Sequence, residues 1–181
     1  MRFWKIVCAG VLVLTGCREI QTITPEPGTP DRSVILVNSS FELGSAATYS
    51  GWSVNDVQRA GFSSDTPPDG GNWAAALITA PLTPVYIQTV APTTPGTRVY
   101  KVTLWGKKTV IDGSVSVLLK RDSGSETSST FSISQIGWYR YTLLDTLSAL
   151  PGDSIVVRLS GGRSDVPTGS VLYDLFLLEQ L

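Results

Sequence analysis

The chain has 181 residues, 14 of them Lys or Arg against 15 Asp or Glu, and it has no histidine. A near-neutral charge without a basic cluster argues against nucleic-acid binding. The missing imidazole removes the commonest general base and zinc ligand, and with them every Ser-His-Asp or Cys-His arrangement.

The N-terminus reads MRFWKIVCAGVLVLTGC. Arg2 and Lys5 make a short positive start. Ile6 to Leu14 form an apolar run of about nine residues, too short to span a bilayer as a helix. Leu14-Thr15-Gly16-Cys17 then closes the stretch. This segment resembles the lipobox of bacterial lipoproteins: a branched apolar residue, two small residues and a cysteine. The resemblance implies a signal peptide over 1–16, cleavage before Cys17 and diacylation of its thiol. Each buried acyl CH₂ adds about 0.8 kcal/mol, so two or three chains hold a soluble body on a membrane. An ordinary secretory signal or a membrane anchor would share the charge and the apolar run. Arg18, standing where an Asp would retain the protein at an inner membrane, implies the outer membrane in a host that has one. Cys8 leaves with the signal and Cys17 is acylated, so no disulfide is expected and cohesion must come from an apolar core or a metal. Losing Arg2 and Lys5 from the 14 basic residues leaves 12 against 15 acidic ones, a mildly acidic mature chain.

Residues 17–32 contain QTITPEPGTPDR, whose three prolines predict an extended linker that holds the body off the lipid. From Ser33 the pattern is strand after strand. Ser33 to Val37, Ala74 to Ile78, Val85 to Val90, Arg98 to Lys107, Ser114 to Lys120, Trp138 to Asp145, Ser154 to Leu159 and Val171 to Leu178 are apolar or β-branched runs. SSDTPPDGGN, APTTPG, DSGSETSST and GGRSDVPTG read as turns between them. No segment keeps a helical period. Residues 33–181 are therefore expected to form one all-β jelly-roll sandwich.

Side-chain alternation assigns faces. Val115, Val117 and Leu119 point one way and Ser114, Ser116 and Lys120 the other; Ile155, Val157 and Leu159 oppose Ser154 and Arg158. Along Arg98 to Lys107, the residues Tyr100, Val102 and Leu104 make the apolar side. Lys101, Thr103, Trp105 and Lys107 make the side expected to be wet. A large aromatic ring among basic side chains on a wet face is less easily explained by packing than a core Trp.

Val37-Asn38-Ser39-Ser40-Phe41-Glu42 with Gly51-Trp52, Gly70-Gly71-Asn72 before a short strand, Tyr100 to Trp105, Trp138-Tyr139-Arg140-Tyr141, Pro151-Gly152-Asp153 and the closing Val171 to Leu177 appear in that order. Together they resemble carbohydrate-binding modules with the galactose-binding-like jelly-roll fold. That resemblance implies an Asn-x-x-Phe-Glu strand at the start and a structural calcium ion away from the sugar face, held by Glu42 and Asp174 with Asn38 as a further donor. Calcium wants hard oxygen ligands at about 2.3–2.6 Å. Glu42 as a plain surface carboxylate and Asp174 paired with an Arg or backbone amides are the alternatives.

Sugars stack on aromatic faces while polar side chains take the hydroxyls. Trp105 with Lys101, Lys107 and, if the two strands are neighbours, Arg158 is the expected ligand set. Trp73 in its loop is a further candidate, Tyr86 and Tyr141 stay open, and Trp52 and Trp138 are expected in the core. The leading expectation is a non-catalytic, membrane-tethered module that binds glycan. The alternative is a structural or assembly lipoprotein that binds another protein of the cell envelope. An enzyme acting through two carboxylates would need a pair among Asp56, Asp65, Asp69, Asp112, Asp122 and Asp165, and no spacing singles one out.

Overall fold

The computed structural model describes residues 32–34, 38–124, 126–163 and 169–181, with the backbone alone at 32–34 and 126–128. The expected signal peptide, the acylated Cys17 and the linker up to Asp31 lie outside the described residues. The strands in chain order are β1 (Arg32–Val34), β2 (Glu42–Leu43), β3 (Ala46–Ala47), β4 (Ser53–Val54), β5 (Ala60–Ser63), β6 (Ala74–Ile78), β7 (Tyr86–Pro92), β8 (Gly96–Lys108), β9 (Gly113–Lys120), β10 (Glu126–Ile133), β11 (Tyr139–Ala149), β12 (Ser154–Ser160) and β13 (Ser170–Gln180). No helix occurs among the described residues.

Two antiparallel sheets pack face to face. The first runs β11-β8-β13-β6-β5 with β1 added on β13, the second β10-β9-β12-β7-β4, and β2-β3 is a separate hairpin. The alternation read from the sequence holds through the middle strands. Tyr100, Val102 and Leu104 from the first sheet meet Val115, Val117, Leu119, Ile155, Val157 and Leu159 from the second, all within one buried cluster. Tyr173 bridges the layers: its hydroxyl donates to the carbonyls of Ser114 and Ser160, 3.1 and 2.6 Å away in the second sheet. Full burial pushes that phenol far up from its ordinary value.

Three local expectations fail for physical reasons. The stretch DSGSETSST, expected as a turn, holds the start of β10 at Glu126; this strand pairs only with β9 at a sheet edge, where Ser and Thr suffice because one face stays wet. The Asn-x-x-Phe-Glu run is a turn over 38–40 followed by a two-residue strand, because Asn38 and Phe41 take left-handed φ of 62° and 58°. Trp138 precedes β11 and is half-buried outside the core, whereas Trp52 is buried and donates from Nε1 to the Asn38 carbonyl at 3.1 Å.

Candidate functional site

Lys101, Thr103, Trp105 and Lys107 do share the outer side of β8. Trp105 stands half-buried between Arg140 on β11 and Asp174 on β13, its register partners on either side. The loop after β5 crosses the sheet here. Asp65 in that loop receives Lys107 Nζ at 2.5 Å and Trp138 Nε1 at 2.9 Å, and these two contacts, Lys107 first, hold its carboxyl below the ordinary value. Lys101 pairs with Glu179 at 3.1 Å. So both lysines around Trp105 already have acidic partners, and the loop roofs part of the indole's surroundings. Trp73, at the end of the same loop, is half-buried and reaches the β2–β3 hairpin, its Nε1 donating to the Ser45 carbonyl at 3.3 Å.

Beneath the same loop lies an acidic corner. Asp174 is fully buried. A Cβ placed on Gly70 would come within 2.5 Å of its Oδ2, and one on Gly71 within 2.6 Å of the Glu42 carboxylate. Asp174 Oδ1 accepts from the Leu175 amide at 2.7 Å. Glu42 Oε1 accepts from the amides of Asn72 and, at 2.5 Å, Trp73. The Ser39 carbonyl accepts from the Phe176 amide at 2.9 Å, which ties the Asn38 turn to β13. Asp174 Oδ2 and Asn38 Oδ1 are buried without a hydrogen-bond partner among the described residues. Burial, with the Glu42 charge adding to it against the Leu175 amide, pushes the Asp174 carboxyl up to about 7. Asn38, Phe41, Asp69 and Leu175 all adopt left-handed φ here, a concentration of strain that surrounding structure must enforce. The donor set suits a hard cation: two carboxylates and an amide oxygen, two of those oxygens orphaned. No cluster of three His, Cys, Asp or Glu forms among the described residues, so a cation would depend on amide and carbonyl oxygens for its remaining ligands.

Arg158 is not near Trp105. β8 neighbours β11 and β13 in the first sheet, whereas β12 neighbours β9 and β7 in the second, so the adjacency the sequence left open does not occur. Arg158 instead sits on the outer face of the second sheet. Its guanidinium lies 4.5 Å from the Tyr86 ring centre, and its Nε and Nη2 donate to Gln88 Oε1 at 3.2 and 3.0 Å. The strand registers set Ser53, Gln88, Arg158, Ser116 and Thr130 side by side across all five strands. At roughly 4.8 Å per strand step this polar row spans about 19 Å. Ser116 and Thr130 share a hydrogen bond of 2.9 Å. One row away Leu118 and Val156 are buried and Val90 is 58% exposed, an apolar border to the polar row. Tyr86 was an open candidate from sequence; Gln88, Ser116 and Thr130 were missed. The Tyr86-x-Gln88-x-Val90 alternation holds the signal, but it is masked by Val85, Ile87 and Val90, which make the stretch look like a short apolar run.

No protein-family model matches the chain, and no curated protein does. Solved structures do. A family 61 carbohydrate-binding module solved with β-1,4-galactotriose is 17% identical, with a TM-score of 0.55 over 82% of this chain and 98% of that one. A family 22 xylan-binding domain from Paenibacillus barcinonensis is 13% identical, with a TM-score of 0.56 over 83% of this chain and 95% of the other. Enzymes also appear, such as a cyclase from Fischerella sp. TAU at 14% identity and a TM-score of 0.59 over 83% and 98%. At such identities the likeness establishes architecture alone: the described body is a jelly-roll sandwich of the galactose-binding-like kind.

Proposed function

We propose that this protein is a non-catalytic, lipid-tethered module that binds glycan across the outer face of its second sheet. The observation that carries the reading is the Tyr86–Arg158–Gln88 group within a polar row crossing five strands. Sugar recognition needs an aromatic face for C–H groups beside planar donors and acceptors for hydroxyls. Here Arg158 Nη1 and the Gln88 side-chain nitrogen are the donors left once Arg158 and Gln88 Oε1 have bonded each other, the Ser116 and Thr130 hydroxyls are the acceptors, and Tyr86 supplies the ring. Architectural likeness to modules solved with galactotriose or described as xylan-binding supports the class of ligand.

A second placement of the glycan is kept because Trp105 does point outward, with Lys101 and Lys107 on its strand and Trp73 at the end of the covering loop. The two placements separate in one experiment. The whole chain is screened on a glycan array, and Arg158→Ala and Trp105→Ala are then compared on the glycans that bind. Loss in Arg158→Ala with retention in Trp105→Ala supports the second-sheet face, and the reverse moves the site to β8. Binding to no glycan, with or without calcium, ends the carbohydrate reading; cross-linking in intact cells to one abundant envelope protein would then favour the assembly-lipoprotein alternative.

Calcium belongs to the proposal as a structural clamp. Glu42, Asp174 and Asn38 would hold it, joining the first turn to the last strand, while the ion neutralises two carboxylates in a buried corner. Tethering rests on Cys17, with the outer membrane favoured by Arg18. Metabolic labelling with a palmitate analogue should mark the wild-type chain and leave Cys17→Ser unlabelled; a labelled Cys17→Ser chain would refute acylation at that position.

A further inference from the structure

β10 and β11 are the edge strands of the two sheets on the same side of the sandwich, and they do not pair with each other. Aromatic rings close the gap. Phe131 on β10 meets Tyr141 on β11 with ring centres 5.8 Å apart and planes at 30°. Tyr139 then stands edge-on to Tyr141 at 5.1 Å and 74°. The Tyr141 hydroxyl accepts from the amides of Ser134 and Gln135 at 3.1 and 3.2 Å, which pins the ring and leaves its own proton to donate. By alternation Tyr139 belongs to the inward side of its strand with Tyr141 and Leu143, yet it is 56% exposed. The reason is position: its register partner is Gly106, near the end of the sheet, where no side chain covers the ring.

We propose that Phe131, Tyr141 and Tyr139 form a stacking platform for a neutral sugar ring, extending the glycan-binding face of the second sheet over its β10 edge. The inference rests on the glycan-binding reading. Position at the edge favours it: on β10, the edge strand, Thr130 ends the polar row on the outer face and Phe131 faces inward, so a chain that turns over this edge passes from the row to the rings between the sheets. Charge selects the class of sugar. Of the two cations beside these rings, Arg140 faces the opposite side of β11 by alternation, and Lys108, whose amide donates to the Gln135 carbonyl at 2.9 Å, is already paired with Asp112 at 2.5 Å. An acidic sugar would find no uncommitted partner in that lysine, whereas a neutral pyranose needs only a ring face and the hydroxyls and amides beside it. Fixing Tyr139 against Tyr141 also lowers the ordering cost of contact, since a preheld ring loses little freedom.

The test titrates the whole chain and its Tyr139→Ala, Tyr139→Phe and Arg158→Ala variants with xylo- and β-1,4-galacto-oligosaccharides of two to six units. A thermal melt of each variant accompanies it to confirm folding. The platform predicts that Tyr139→Ala weakens the longest bound oligosaccharide by about tenfold while Tyr139→Phe, which keeps the ring, binds within about twofold of wild type. Unchanged binding in Tyr139→Ala together with loss in Arg158→Ala would overturn the platform and leave the sheet face standing. Absence of binding by the wild-type chain to both series would overturn the platform and count against the parent reading as well.

Discussion

Asp174 interrupts an apolar strand with a carboxyl that has one hydrogen bond and one orphaned oxygen. Its folded-state value near 7 lies above its ordinary one, so the folded chain binds a proton more tightly than the unfolded chain does. Without a cation, stability is therefore greatest below about pH 4 for this group and falls as pH rises through about 7. We predict a thermal midpoint lower at pH 8 than at pH 5 in chelator, by an amount corresponding to roughly 1–4 kcal/mol. A bound divalent cation reverses the sign, because it favours the ionised form. Added calcium should raise the midpoint clearly at pH 8 and little at pH 5, and Asp174→Asn should lose both the pH dependence and the calcium response. A calcium response that survives in Asp174→Asn would place the ion elsewhere. The sequence exposed Asp174 through its odd position among Leu172, Tyr173, Leu175 and Phe176. It did not expose the strain at Phe41 and Leu175, since non-glycine residues with left-handed φ carry no compositional mark.

Period-two alternation made the inward sides of β8, β9 and β12 legible, because a one-residue slip would turn every apolar side chain to water. It could not say which strands are neighbours, and for that reason Arg158 and Trp105 were grouped although they lie on different sheets. Nor could it find β10, whose start, up to the outward Thr130, looks like a turn until paired with β9. Packing between the sheets gives two checks. Gly113, at the start of β9, faces Tyr173: an added Cβ would lie 2.6 Å from its hydroxyl oxygen, 2.6 Å from Val171 Cγ1 and 2.8 Å from the Ser160 carbonyl. Gly113→Ala should cost about 1–3 kcal/mol by chemical denaturation, from overpacking against backbone that cannot withdraw. Tyr173→Phe should cost a similar amount, about 1–3 kcal/mol, by leaving the Ser114 and Ser160 carbonyls without their shared donor. A neutral result for both would mean that the layers are held without this bridge.

At the level of the molecule, the described body starts at one end and offers its rim at the other. β1 begins beside Gln180, which shares a register level with Tyr100, whereas Tyr139 and Tyr173 stand level with Gly106. Six strand residues separate those levels, about 20 Å. β1 thus enters at the Gln180 end, opposite the Tyr139 rim, and the long polar row runs across the side. The most direct measurement of ligand placement is backbone-amide exchange on the whole chain, with and without a saturating bound xylo- or β-1,4-galacto-oligosaccharide. The account predicts slowed exchange concentrated in β7, β12, β9, β10 and the start of β11, with β8 and β13 unchanged. Slowing confined to β8 and the 64–73 loop, or none anywhere, would contradict it.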